Sequence, residues 1–316
     1  MHTNTIKHKH KNFISAVVYV YNSEKEIAKF LNMLYGVLSA NFEKSEIICV
    51  NDASPDGVKP VIKNTARGFG FDGCMLSILN MGYYHGVESA MLAGVDLAVG
   101  DFVFEFDSAA IDYAPELIMQ VYERSLQGFD IVSCGSARAR AASKIFYSVY
   151  NRHSGAQYKL RSETFRALSR RAINRAHSMS VNQPYRKALY ANCGLKADYI
   201  GYTPDPAAKK RARALKDPQD TALTSLILFT NVAYKITLVF TFIMMFATVG
   251  TAVYVVAVYL LGSPAEGYTT MMLFMAGAFF ALFAVLSVII KYLSVILGIV
   301  FSKQRYAVES IEKITG

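Results

Sequence analysis

Cysteine is scarce in this sequence. Cys49, Cys74, Cys134 and Cys193 are the only four, and none belongs to a C-x-x-C pair. That leaves neither a zinc-ligand spacing nor a disulfide framework. Three of the four sit in apolar, strand-like runs, where a reduced core thiol is expected. Histidine offers no metal set either, because His85, His153 and His177 lie far apart. There is no P-loop G-x-x-x-x-G-K-[ST], no G-x-S-x-G elbow and no H-E-x-x-H helix. A dinucleotide fingerprint is likewise not read. Met1 to Asn12 is rich in His and Lys and lacks an apolar core, so no signal peptide is expected.

Charge is absent from two long stretches, Ile236–Leu261 and Met271–Ile290. Each meets the roughly 20 residues that a helix needs to cross a hydrocarbon core of about 30 Å. A buried core helix passes the same length test, but two such runs in tandem exceed what a soluble domain of this size buries. Lys209, Lys210, Arg211, Arg213, Lys216 and Lys235 precede the first run, and Lys303 and Arg305 follow the second. Between the runs, Gly262–Thr270 holds Glu266 as its one charge. Positive flanks stay inside, so both termini are expected in the cytoplasm and the linker outside. Lys291 can snorkel to the headgroups at the end of the second run. Thr221–Tyr234 is mostly apolar and uncharged, as an interfacial segment would be. The predicted location is the plasma (inner) membrane, multi-pass.

The net charge of +9 is uneven. Between Ala137 and Lys216 the acidic residues are Glu163, Asp198 and Asp205, against many Lys and Arg. Such a segment can suit nucleic acid, but here it leads straight into the apolar runs. Membrane lipids, pyrophosphate or a lipid phosphate are the expected partners, and nucleic acid is not.

The first 135 residues alternate strand and helix signals. Phe13–Tyr21, Ile47–Val50, Cys74–Ile78, Phe102–Phe106 and Asp130–Cys134 are apolar runs of strand length. Ile27, Phe30, Leu31, Leu34 and Val37 recur at helical period, Gly86–Ala98 reads as a helix, and Pro115–Leu126 opens one on proline. Ser23 with Glu26 has capping-box spacing. Asn51-Asp52-Ala53-Ser54-Pro55-Asp56-Gly57 is a turn cluster, with a helix predicted from there to about Ala66. This rhythm predicts a largely parallel sheet with helices on both faces. From Ala137 it breaks, although Ile145, Phe146, Val149 and Tyr150 give Lys144–Asn151 an apolar helical stripe.

Ligands bind such sheets at the C-terminal ends of the strands. The polar clusters fall there: Asn22, Asn51-Asp52, Asn80, Asp107, then Arg138 and Arg140. Turns are polar in any protein. Carboxylates on one side with arginines on the other are more than a turn requires.

The order of these pieces resembles family 2 glycosyltransferases. It is closest to the polyprenyl-phosphate branch related to dolichol-phosphate mannose synthase, in its bacterial form with two C-terminal spans. Val17-Val18-Tyr19-Val20-Tyr21-Asn22 resembles the opening strand VVxPVYNE. Val50-Asn51-Asp52-Ala53-Ser54-Pro55-Asp56 resembles the VDDGSxD turn. Asn80-Met81-Gly82 with Ala90 and Gly94 resembles the N-x-G…A…G helix start. Gly100 to Asp107 resembles the strand into the DxD motif. Thr164-Phe165-Arg166 with Ser169-Arg170-Arg171 is similar to GDFR…SRR, and Gln304-Arg305-Tyr306 to the juxtamembrane end. These matches cover most of the chain, and their order and spacing carry the resemblance.

The resemblance implies an α/β GT-A (Rossmann-like) nucleotide-sugar-binding domain followed by two transmembrane helices. Its boundaries would be a basic tail at 1–12, the glycosyltransferase domain at 13–216, an interfacial segment at 217–234, a two-helix region at 235–302 and a cytoplasmic tail at 303–316. It implies donor contacts by Tyr21, Asn22, Asn51, Asp52, Asn80, Asp107 and Ser108. Asp107 is the catalytic candidate at the DxD position, and Arg138 and Arg140 after the fifth strand, with Arg166 in the Phe-Arg match, are candidates because a guanidinium fork binds phosphate bidentately. Where the family has Asp-x-Asp around Mg²⁺ or Mn²⁺, this chain reads Asp107-Ser108-Ala109, with Asp112 further on. The metal set would be Asp107 and Asp112. The implied reaction is inverting transfer from a UDP- or GDP-linked sugar to a polyprenyl (undecaprenyl-type) phosphate, for cell-envelope glycan synthesis. Another lipid or a growing glycan is a second acceptor class. The missing carboxylate keeps another reading open: a non-catalytic or metal-independent relative that binds nucleotide sugar or scaffolds an envelope glycosylation complex. Two spans expose enough helix surface for a homo-oligomer.

Overall fold

The computed structural model describes residues 9–70, 73–136, 147–148, 151–152, 158–179, 186–204, 232–262, 265–300 and 306–314. The chain divides into two compact units, residues 1–222 with 304–316, and residues 223–303.

In the first unit the strands and helices alternate as β1 Ile14–Val20, α1 Glu24–Asn41, β2 Ser45–Asn51, α2 Val58–Ala66, β3 Cys74–Met81, α3 Val87–Leu97, β4 Phe102–Phe106, α4 Glu116–Leu126 and β5 Ile131–Ser136. After the basic segment come β6 Phe165–Ser169, α5 Arg170–Ser178, α6 Arg186–Ala191 and β7 Ala197–Tyr202, and the last strand is β8 Val308–Ile314. Among the described residues they form one eight-stranded sheet in the order β7-β5-β6-β4-β1-β2-β3-β8. The pairs β1–β2, β1–β4, β2–β3 and β5–β7 are parallel, whereas β6 runs against both β4 and β5. Val17, Val18, Ile48, Cys49 and Val50 are buried on both faces of the central strands, which is why those runs are continuously apolar. One cluster packs α1, α2 and α4 on one face, and a second packs α3, α5 and α6 on the other. Gly94 lets α3 approach the sheet: a Cβ there would stand 2.4 Å from Val17 Cγ1 and 2.5 Å from Val50 Cγ2. All four cysteines are buried and unpaired, as composition predicts.

Two local expectations change, and one glycine spacing finds its context. The capping box does not form, because Ser23 Oγ donates to the Tyr21 carbonyl instead. The Glu24 amide donates to Asp56, and Glu24 accepts from the Gly57 amide, so the starts of α1 and α2 cap each other. The G-x-G-x-x-G spacing does occur once, at Gly68, Gly70 and Gly73. It lies between the end of α2 and β3, the reverse of the strand-to-helix context a dinucleotide site needs. Finally, the segment after the apolar runs is not simply a tail. Its β8 adds antiparallel to the edge of β3.

The second unit consists of α7 Val232–Leu261 and α8 Tyr268–Val300. Within them Leu238–Leu261 and Tyr268–Leu293 are long and apolar enough to cross a membrane, with mean hydropathy 2.1 and 2.7. Few of their residues are covered within the chain. Phe246, Leu261 and Phe274 are 76%, 90% and 80% exposed. Bare apolar surface on that scale calls for a non-aqueous or protein covering. The segment 217–234 is largely outside the described residues, as is 137–146.

Candidate active site

Strand β4 carries one carboxylate, Glu105, inside an otherwise apolar run, and that side chain is fully buried. A lone charge there would be costly, so it demands partners. In the ladder Glu105 faces Arg166 of β6, which in turn faces Ser133 of β5. Arg166 Nη1 donates to Glu105 Oε2 at 2.7 Å, Nη2 donates to Asp107 Oδ2 at 3.2 Å, and Nε lies 3.0 Å from Glu163 Oε2. Helix α6 adds a second guanidinium. Arg186 Nη2 donates to Asp107 Oδ1 at 2.7 Å, Nε donates to Glu88 Oε2 at 3.1 Å, and Nη1 lies 2.9 Å from Glu105 Oε1. The Tyr190 hydroxyl donates to Glu105 Oε1 at 2.8 Å, and Lys187 Nζ stands 3.8 Å from Asp107 Oδ2. The cluster thus holds the carboxylates of Glu88, Glu105, Asp107 and Glu163 against Arg166, Arg186 and Lys187.

Its position follows from the topology. Asp107 is the residue after β4, at the C-terminal edge where parallel sheets take their ligands. Burial by itself would raise the Asp107 pKa, but Arg186, Arg166 and Lys187 together outweigh it and hold the carboxyl well below the usual range. Asp107 is therefore an anion at every physiological pH. A cavity of about 340 Å³ opens beside the cluster, lined by Lys159, Arg161, Arg166, Lys187, Tyr190 and Tyr199 among others.

At the same edge, the ends of β1, β2 and β3 come together. Asn22 and Ala53 both adopt left-handed backbone, at φ 51° and 50°, and Ala53 stands where the VDDGSxD turn has glycine. Tyr21 and Tyr84 are in ring contact at 4.7 Å. Asp52 is fully buried and accepts from the amides of His85 and Gly86, each at 2.8 Å, and from the Tyr19 hydroxyl at 3.0 Å. Asn51 Nδ2 donates to Asn80 Oδ1, and Asn80 Nδ2 donates to Ser310 and Glu312 of β8. The Ala307 amide also donates to His85 Nε2 at 3.0 Å.

The predicted residues therefore fall into two groups. Tyr21, Asn22, Asp107 and Ser108 present surface at the edge, and Ser108 Oγ accepts from the Ala110 amide. Asn51, Asp52 and Asn80 are buried and fix the loops around them. Arg166 lies inside the sheet, 1% exposed. Arg138 and Arg140 lie outside the described residues. Sequence reasoning missed Glu88, Glu105, Glu163, Arg186 and Lys187. Glu105 within Phe-Val-Phe-Glu-Phe and Arg166 within Phe-Arg-Ala-Leu were legible signals, since a charge in a buried strand implies a buried partner. Nothing local marks Arg186.

The residues present do not fit a divalent metal. Both Asp107 oxygens accept from guanidinium groups, with Lys187 beyond them. Asp112 accepts from the Tyr202 hydroxyl instead. Ala109, which stands where the second motif carboxylate would be, is 1% exposed and belongs to the apolar cluster. Among the described residues no group of three His, Cys, Asp or Glu side chains is placed to hold an ion. Ala109→Asp is accordingly expected to lower stability by about 2 kcal/mol or more without creating a metal site. Thermal melts check this, and a Mn²⁺-dependent rise in the variant's Tm would contradict it.

The sequence profile described as Glycosyl transferase family 2 matches residues 15–194, more than half of the chain. The chain belongs to glycosyl transferase family 2. This family 2 chain is 27% identical over 201 residues to an uncharacterized glycosyltransferase of Synechocystis, covering 61% of each protein. It is 26% identical over 196 residues to an Escherichia coli prophage bactoprenol glucosyl transferase homolog, covering 60% of this chain and 62% of that one. It is 31% identical over 127 residues to the undecaprenyl-phosphate 4-deoxy-4-formamido-L-arabinose transferase of Pseudomonas paraeruginosa, covering 40% of this chain and 36% of the relative. The matched region thus spans less than two thirds of each of these relatives. Among solved structures, a mannosyltransferase of Pyrobaculum calidifontis in complex with GDP-Man and Mn²⁺ is similar at 16% identity and a TM-score of 0.45, covering 93% of this chain and 87% of that one.

Proposed function

We propose that this family 2 chain transfers one sugar from a nucleotide sugar to a polyprenyl phosphate at the cytoplasmic membrane face, with inversion. The observation that carries the reading is the Asp107 cluster at the C-terminal edge of the sheet, in a chain that also holds two long apolar helices. The relatives' names point to polyprenyl-phosphate acceptors. Chain connectivity supports a hairpin. Strands β7 and β8 belong to one sheet and flank α7 and α8, and two crossings return a chain to the side it left.

The chemistry asks little of a base. A phosphate monoester has a second pKa near 6, so the acceptor is mostly dianionic at neutral pH. One of its oxygens attacks the anomeric carbon. The bond from that carbon to the donor's diphosphate oxygen breaks, and the electron pair leaves with the nucleoside diphosphate. The protein must align the two and offset the negative charge they bring. Asp107 holds Arg186 by a hydrogen bond and faces Lys187 at 3.8 Å, and Arg138 and Arg140 are the proposed acceptor contacts. Tyr21 and Asn22 are proposed to meet the nucleotide.

The test is purified chain in lipid with undecaprenyl phosphate and a panel of labelled nucleotide sugars. Formation of a lipid-linked sugar from at least one donor is expected. Donor binding without transfer to any acceptor would instead support the non-catalytic reading, which the fully engaged oxygens of Asp107 favour.

A further inference from the structure

We propose that Lys187, held in place beside Asp107, takes the part of a divalent cation at the donor's diphosphate, so that the donor binds without metal. The inference rests on the nucleotide-sugar reading above.

The cluster separates its cations by how far they are committed. Arg166 meets Glu105, Asp107 and Glu163, and Arg186 meets Glu88, Glu105 and Asp107. Both side chains are at most 3% exposed, so neither can turn toward a ligand without stripping the fully buried Glu105 and two partly buried carboxylates. Lys187 differs. Among the described residues it has one carboxylate within ion-pair distance, Asp107 Oδ2 at 3.8 Å, beyond hydrogen-bond reach, and it is 11% exposed. It also lines the cavity beside the cluster. An ammonium group carries three donors and no acceptor, which suits phosphate oxygens.

A metal in the same place is disfavoured from two sides. Its first ligand would be a carboxylate whose oxygens already face two guanidinium groups. Its nearest charges would be three cations. The second carboxylate that would offset them is replaced by the buried methyl of Ala109. A fixed ammonium group already present there meets none of these penalties. Asp107 then acts as a counter-ion facing Lys187 rather than as a metal ligand.

The test uses the full chain in lipid nanodiscs with UDP and GDP as probes. Calorimetric titrations are run in EDTA and in Mn²⁺, alongside electron paramagnetic resonance of Mn²⁺ with protein and nucleotide present. At least one diphosphate should bind with a Kd that agrees within about twofold between the two conditions. Lys187→Ala should weaken binding about tenfold in both, and Lys187→Arg should recover most of the loss. The Mn²⁺ spectrum should match that of a sample with nucleotide but no protein. Binding at least tenfold tighter in Mn²⁺, with a protein-bound Mn²⁺ spectrum, overturns the proposal and leaves the nucleotide-sugar reading standing. So does a folded Lys187→Ala variant that binds as the wild type does. If neither diphosphate binds under any condition, the nucleotide-sugar reading falls and this inference falls with it.

Discussion

Asp107→Asn is expected to lower sugar transfer by about 10²–10³-fold, the scale lost when one charge-stabilising group is removed from a preorganised site. The chain should still fold. The substitution removes one of four carboxylates facing Arg166, Arg186 and Lys187, and so leaves three against three. Acid provides a second readout. The folded-state pKa of Asp107 is depressed, so its stabilisation is complete above the unfolded value of about 4 and is lost as pH falls below it. The stability gap between wild type and Asp107→Asn should therefore narrow between about pH 6 and pH 3. Transfer assays and chemical unfolding at the two pH values check both halves. Near-normal turnover in the variant would remove Asp107 from the site.

Arg166→Met should instead damage the fold. Methionine keeps much of the volume but leaves four carboxylates facing Arg186 and Lys187. Glu105, fully buried, keeps one guanidinium and the Tyr190 hydroxyl. Breaking a buried pair from one side costs about 3–5 kcal/mol. For a domain of this size that is a fall in Tm of roughly 6–20 °C. Replacing Glu105 by Gln in the same chain should recover part of the loss, because the two charges then leave together. A melting temperature within about 2 °C of wild type would mean that Arg166 does not hold the cluster together.

The central strands and the two apolar helices were legible because each depends on a local pattern. A doubly buried strand must be apolar throughout, and a membrane-length helix must lack charge. The site was legible only in part. Asp107 stands at the end of a recognisable strand, and Arg166 in a recognisable motif. Arg186 reaches Asp107 across 79 positions of sequence, from a six-residue helix with no pattern of its own. The reason that Asn51, Asp52 and Asn80 are buried was also hidden. Their polarity marks a turn equally well whether it serves a ligand or a backbone amide. Here Asp52 serves the amides that open α3, and Asn80 serves a strand more than two hundred residues away.

That strand sets an order on biosynthesis. β8 pairs with β3 from Leu76↔Ile314 to Met81↔Val308, and the whole apolar hairpin lies between them in the chain. While the ribosome is still making α7 and α8, β3 has an open edge, and open edges invite pairing with other chains. With both helices crossing as proposed, the edge closes once β8 emerges on the same side of the bilayer as β3. On the same proposed topology, a chain in which one of the two helices failed to cross would carry β8 to the far side. Asn80 would then lack its bonds to Ser310 and Glu312, and His85 its bond from the Ala307 amide. On that proposed topology, completion of the sheet would report correct insertion, at the loops proposed to meet the donor.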